Sequence, residues 1–181
     1  MLSEHPTLLT GGPSMTGIGK HIIFDGDFRP DSPLATVGGG HRFLTDFVTA
    51  LGMTIVIPPY VIEFPVSPSV YDRIKQTLKD AGLTHLDFYQ ELIRFDTVRN
   101  GAIKGISGIV GLAESHIAYH TAPEHVTDGL HFVSIDVYSC KPFDPSVTLN
   151  YLRQSGLVRG HVVEINRFVG GPQEVKTYPF D

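Results

Sequence analysis

A glutamate, a serine and a histidine stand in a row at Glu114-Ser115-His116, with a second histidine at His120 and the chain's only cysteine at Cys140. Serine beside histidine is the raw material of nucleophilic catalysis, and an acid such as Asp136 would complete a triad of Ser115 with His120 or His116. No Gly-x-Ser-x-Gly turn surrounds Ser115, which counts against a hydrolase. A metal centre would draw on His116, His120, His125 or His131 with Glu114. There is no His-Glu-x-x-His, however, and a chain with 9 histidines produces such spacings by chance, so no metal is expected. The third chemistry is self-processing. The Ser115 hydroxyl attacks the carbonyl of its own preceding peptide bond, a base removes the serine Hα from the resulting ester, and β-elimination leaves a new chain end carrying a pyruvoyl group.

These residues need a strand to hold them. Alternation over 114–121 puts Glu114, His116, Ala118 and His120 on one face, and Ser115, Ile117, Tyr119 and Thr121 on the other. The flanks, 106–112 and 132–138, read as buried apolar strands, so polar groups are carried into a sheet at a cost that chemistry would justify. Upstream, His21 to Phe24 predicts a strand, Pro30 to Gly40 a loop, 41–51 an amphipathic helix, and Met53 to Ile57 a strand stopped by Pro58-Pro59. Val70, Ile74, Leu78 and Ala81 form a helical stripe ended by Gly82, and a second helix begins near Thr84, which makes 59–100 a helical insertion. Downstream come a strand over 130–138, a helix opened by Asp144-Pro145, and a strand over 161–165. The sum is an α+β two-layer sandwich, a mostly antiparallel sheet with helices on one face. The β-helix-β units at 20–57 and 130–165 suggest an approximate repeat.

A single domain over 1–181 is expected, with 1–17 a loose Gly/Pro/Ser/Thr-rich arm. Fourteen basic against 19 acidic residues, without a basic run, argue against nucleic acid and anionic membranes and for a small-molecule partner. One cysteine allows no intrachain disulfide, and the first residues have no signal-peptide pattern, so a cytoplasmic home is expected.

Ala113-Glu114-Ser115-His116-Ile117, then His120-Thr121, Pro123-Glu124 and Ile135-Asp136-Val137-Tyr138-Ser139-Cys140, resembles the prokaryotic S-adenosylmethionine decarboxylases, which are pyruvoyl enzymes. Gly105-Ile106-Ser107-Gly108 resembles that family's Gly-x-Ser-Gly, and Asp144-Pro145 and His161-Val162-Val163-Glu164 are similar too. The resemblance runs over 103–165, is thinner over 18–57 and lapses across 59–100. It implies cleavage between Glu114 and Ser115, with Ser115 becoming the pyruvoyl cofactor. It further implies that His120 assists the elimination, that Cys140 protonates the substrate carbon, and that Ser107 supports both steps. A homodimer with sites near the subunit boundary is implied as well. Taken alone, Cys140 also suits a small core residue, and Ser107 a turn.

Two positions depart from the pattern. The family places aromatics where this chain has Ala122 and Asn100-Gly101-Ala102-Ile103, positions suited to stacking a purine. Aromatics of the insertion, Tyr60 and Phe64 among them, would restore a stacking surface or close the pocket around a smaller substrate. The expectation is an S-adenosylmethionine decarboxylase supplying the aminopropyl donor for spermidine. A decarboxylase of arginine or ornithine and an unprocessed ligand-binding relative are the alternatives. Extra chain between His125 and Phe132 is expected beside the site.

Overall fold

The computed structural model describes residues 19–64, 104–167 and 174–181, together with 72, 73, 76, 77, 79, 80 and 82. In chain order the elements are β1 (Gly19–Phe28), α1 (Val37–Ala50), β2 (Ile55–Phe64), β3 (Gly105–Leu112), β4 (Ser115–Thr127), β5 (Leu130–Ser139), α2 (Pro145–Gln154), β6 (Leu157–Arg167) and β7 (Glu174–Phe180). The strands form one sheet in the order β2-β3-β4-β5-β1-β6-β7, every neighbouring pair antiparallel. Helices α1 and α2 touch each other on one face of it, which gives the expected α+β two-layer sandwich. Among the described residues no helix is long and apolar enough to cross a membrane.

Period-two patterning decides which face the helices cover. Ile22, Phe24 and Phe28 of β1, Ile117 and Tyr119 of β4, and Val133, Ile135 and Val137 of β5 are buried against Phe43, Leu44, Phe47 and Val48 of α1 and Leu152 of α2. Each such side chain contributes roughly 1.5–3 kcal/mol through burial. Tyr151 of α2 stacks on Phe47 at 4.5 Å and donates its hydroxyl to the Phe43 carbonyl at 2.8 Å, and burial pushes its phenol up to about 12. The opposite, open face carries His116, Ala118 and His120 of β4, Asp136 and Tyr138 of β5, His21 of β1 and Ser107 and Ile109 of β3.

Several boundaries differ from the sequence expectation. Helix α1 starts at Val37, not at residue 41, and takes in Gly38-Gly39-Gly40 behind a Thr36 cap whose Oγ1 accepts from the Gly39 N–H at 3.0 Å. The glycines let the helix approach the sheet closely: a Cβ at Gly40 would lie 1.8 Å from the Tyr119 hydroxyl oxygen, and one at Gly108 would lie 2.4 Å from the same ring. Tyr119 fills the space that the two missing side chains leave. Strand β2 runs on through Pro58-Pro59, because β2 is an edge strand and its pairing with β3 is interrupted between Ile57 and Tyr60, where no ladder donor is needed. Strand β6 begins at Leu157, four residues before the expected start.

The stripe over 70–81 is helical at the described positions 72, 73, 76, 77, 79 and 80, ending at Gly82 with φ +71°. The helix near Thr84, the arm 1–17 and most of the insertion 59–100 lie outside the described residues. The β-helix-β units both occur but differ in span, since β5 and β6 enclose one strand while β1 and β2 enclose three. The extra chain after His125 builds a hairpin tip at Asp128-Gly129, both with positive φ, where β4 turns into β5. That tip is at the end of β4 opposite Ser115, not beside it.

Candidate active site

Ser115 opens β4 after a bend at Ala113-Glu114. The segment leading into β2 clamps that bend: the Ala113 N–H donates to the Thr54 carbonyl at 2.9 Å, and Glu114 Oε2 accepts from the Thr54 N–H at 3.2 Å. From the other side Cys140 donates twice to the carbonyl oxygen of Glu114, through its N–H at 2.9 Å and through Sγ at 2.9 Å. That oxygen belongs to the peptide bond between Glu114 and Ser115. Two donors aimed at it draw electron density from its carbon and would hold the oxyanion formed by attack there.

Cys140 is itself held in place. The Oγ of buried Ser139 accepts from the Lys141 N–H at 3.0 Å and donates to the Lys141 carbonyl at 2.8 Å, closing the turn around the cysteine. The thiol is exposed, so it does not fill the core. Ser115 holds φ +156°, which side chains rarely adopt and which costs on the order of 1–3 kcal/mol. Breaking the peptide bond before it would release that strain.

A second group sits further along the sheet. Register pairs Ser107 of β3 with His120 of β4, and Ser107 Oγ lies 2.7 Å from His120 Nδ1. The pair lines a cavity of about 240 Å³ on the open face together with Tyr60, Ile62, Gly108, Ile109 and Ala118.

The family model for S-adenosylmethionine decarboxylase matches residues 67–167 of this chain. The chain belongs to that family. It is 37% identical over 76 residues to the S-adenosylmethionine decarboxylase proenzyme of Anoxybacillus flavithermus, covering 41% of this chain and 56% of that protein. The proenzyme of Geobacillus kaustophilus is 34% identical over 106 residues, with 58% of this chain and 77% of that protein covered. That of Pyrococcus abyssi is 38% identical over 76 residues, with 41% and 51% covered. The chain thus spans about half to three-quarters of the length of the curated relatives it matches.

The stretch matched to the decarboxylase family takes in Ser107, the Glu114-Ser115 bond, His120 and Cys140, and it starts inside the segment where the quoted motifs lapse. The structure joins Glu114, Ser115 and Cys140 directly. It joins Ser107 to His120, but His120 is five steps along β4 from Ser115, about 16 Å at ~3.3 Å per residue. It also joins His116 and Asp136, which the sequence offered as triad candidates, and adds His21 and Arg167, which sequence reasoning missed. Alternation places His21 on a face, but nothing local says that its partner is 115 residues away. His131 packs against the Phe28 ring at 5.6 Å, away from these groups, and the side chain of His125 lies outside the described residues.

Proposed function

We propose that this chain is a pyruvoyl-dependent S-adenosylmethionine decarboxylase that cuts itself between Glu114 and Ser115 and supplies the aminopropyl donor for spermidine synthesis. The carrying observation is the doubly hydrogen-bonded Glu114 carbonyl beside Ser115. An ordinary strand carbonyl at this bend needs one partner; this one has a backbone N–H and a thiol, on the bond where family resemblance puts the cut. The residues fit the cofactor that family implies, since a serine with its hydroxyl next to an activated carbonyl is what the conversion requires. When formed, the pyruvoyl group supplies an electron sink for the pair released as CO2 leaves. Cys140, exposed, fixed by its turn and bonded to the Glu114 carbonyl that precedes Ser115, is the acid assigned to protonate the substrate carbon, a reading its position beside the cut supports.

Tyr60 favours an adenosyl substrate over a basic amino acid. The sequence lacks the family's aromatics at Ala122 and at 100–103, but Tyr60 lines the cavity with Ser107 and His120, offering a ring on which a purine can stack for about 1–3 kcal/mol. The working form is a cytoplasmic homodimer in which the open face of one sheet meets that of a second copy. Supporting this, His120 is out of reach of Ser115 within one chain, and Ile57, Tyr60 and Ile109 are exposed on the open side.

Intact mass of the purified protein tests the reading. Two fragments, 1–114 and a pyruvoyl-capped 115–181, are expected, with Ser115→Ala leaving one uncut chain, and CO2 release from S-adenosylmethionine but not from arginine or ornithine. A wild-type chain that stays whole would refute it.

A further inference from the structure

The acyl shift needs a base for the Ser115 hydroxyl, and within one chain His120 is too far along β4 to be that base. A chain of side chains on the open face leads directly to the serine. Ser115 Oγ lies 3.2 Å from His116 Nδ1. His116 Nε2 faces Asp136 Oδ1 at 3.4 Å, and Asp136 Oδ2 is 2.7 Å from His21 Nε2. His21 Nδ1 in turn lies 3.4 Å from an Arg167 guanidinium nitrogen. Tyr138 closes the group from above, its ring edge-on to His21 at 5.6 Å, tilted on His116 at 5.9 Å and under the Arg167 guanidinium at 4.9 Å.

With both imidazoles neutral, the hydrogens of this chain can be placed so that every contact pairs a donor with an acceptor. Arg167 can only donate, so His21 Nδ1 accepts and His21 Nε2 carries the hydrogen given to Asp136 Oδ2. The carboxylate only accepts, so the hydrogen of His116 is on Nε2, facing Oδ1. That leaves His116 Nδ1 bare, and the bare nitrogen is the one beside Ser115 Oγ. Asp136 Oδ1 is buried with no hydrogen-bond partner, and His116 Nε2 faces it at 3.4 Å.

We propose that His116 is the general base of the self-cleavage, with Asp136 and His21 as positioning residues that fix its tautomer. This rests on the self-processing reading above. The hydroxyl proton of Ser115 passes to His116 Nδ1 as Oγ bonds to the Glu114 carbonyl carbon. The carbonyl electrons move onto the oxygen held by Cys140. When that intermediate collapses the carbon–nitrogen bond breaks, the nitrogen of Ser115 takes the proton back from His116, and an ester remains. Protons and electrons balance with no outside reagent. The later removal of Hα is a separate step; the family resemblance gives it to His120, while His116, having returned its proton to the nitrogen, ends the acyl shift as it began, neutral.

The test follows freshly translated chains by gel and mass. Wild type is run beside His116→Ala, with and without added imidazole, and beside Asp136→Asn, each variant checked for a native melting transition. His116→Ala is expected to cut about 10²–10⁴-fold more slowly, the usual worth of a general base, and imidazole should restore part of the rate. Asp136→Asn should cut about tenfold or more slowly because it no longer enforces the tautomer. Cutting by His116→Ala within about threefold of wild type overturns the proposal. So does a slow variant that imidazole does not rescue while Asp136→Asn cuts normally. An uncut wild type fails the function reading itself, and this proposal with it.

Discussion

The proposed mechanism gives Cys140 two roles, and substitution should pull them apart. Its N–H and its thiol both address the Glu114 carbonyl, but only the thiol is an acid able to protonate a substrate carbon. Cys140→Ser keeps a donor on the carbonyl, so cleavage should proceed while CO2 release falls by roughly 10²–10⁴-fold. Cys140→Ala removes the side-chain donor and leaves the N–H, so cleavage itself should slow, by up to about 10²-fold. Single-turnover cleavage and steady-state decarboxylation, measured on the same preparations, separate the two losses. At this scale the sequence was readable wherever partners are close along the chain or joined by a motif: Glu114, Ser115 and Cys140 were all named from spacing and resemblance. It was silent on His21 and Arg167, whose roles exist only because β1 lies between β5 and β6 in the sheet.

At the scale of elements, the alternation over 114–121 holds in β4, with Ile117 and Tyr119 in the core and His116 and His120 on the open face. The Asp144-Pro145 start of α2 was equally legible, since a cap and a helix-compatible proline act within one turn; the Asp144 carboxylate accepts from the Ser146 N–H at 2.8 Å. Gly38-Gly39-Gly40 was misleading. Glycine disfavours a helix in isolation, and only the fit against Tyr119 shows why α1 begins there. Gly40→Ala makes this measurable: its Cβ would stand 1.8 Å from the Tyr119 hydroxyl oxygen, so it should destabilise the fold by about 1–3 kcal/mol. That hydroxyl is buried with no hydrogen-bond partner, and burial raises its pKa further above the ordinary phenol range. Tyr119→Phe should therefore cost little and should relieve most of the Gly40→Ala penalty, a coupling that urea titration of the four proteins would read. Additive losses would mean that the close approach is not what the glycine provides.

At the scale of the molecule, a sheet covered on one side leaves its other side to be explained. Helices α1 and α2 bury one face, while the open one carries Tyr60, Ile109, the Ser107–His120 pair and His116, whose Nδ1 reaches Ser115 at the start of β4. Alternation predicted which residues share that face, but not what covers it, because patterning within a chain is the same whether the cover is solvent or another sheet. If two copies meet face to face, His120 of one copy can serve Ser115 of the other across the ~10 Å that separates packed sheets, a shorter path than the one along its own strand. This makes a specific prediction for mixed dimers. Ser115→Ala and His120→Ala homodimers should both stay whole. Co-expressed with distinguishable tags, the two variants should form dimers holding one site with both an intact Ser115 and an intact His120, and the His120→Ala chain alone should then be cut. A His120→Ala chain that remains whole in the mixture, in dimers shown by mass to contain both variants, would place Ser115 and His120 in the service of the same chain and leave the open face to some other partner.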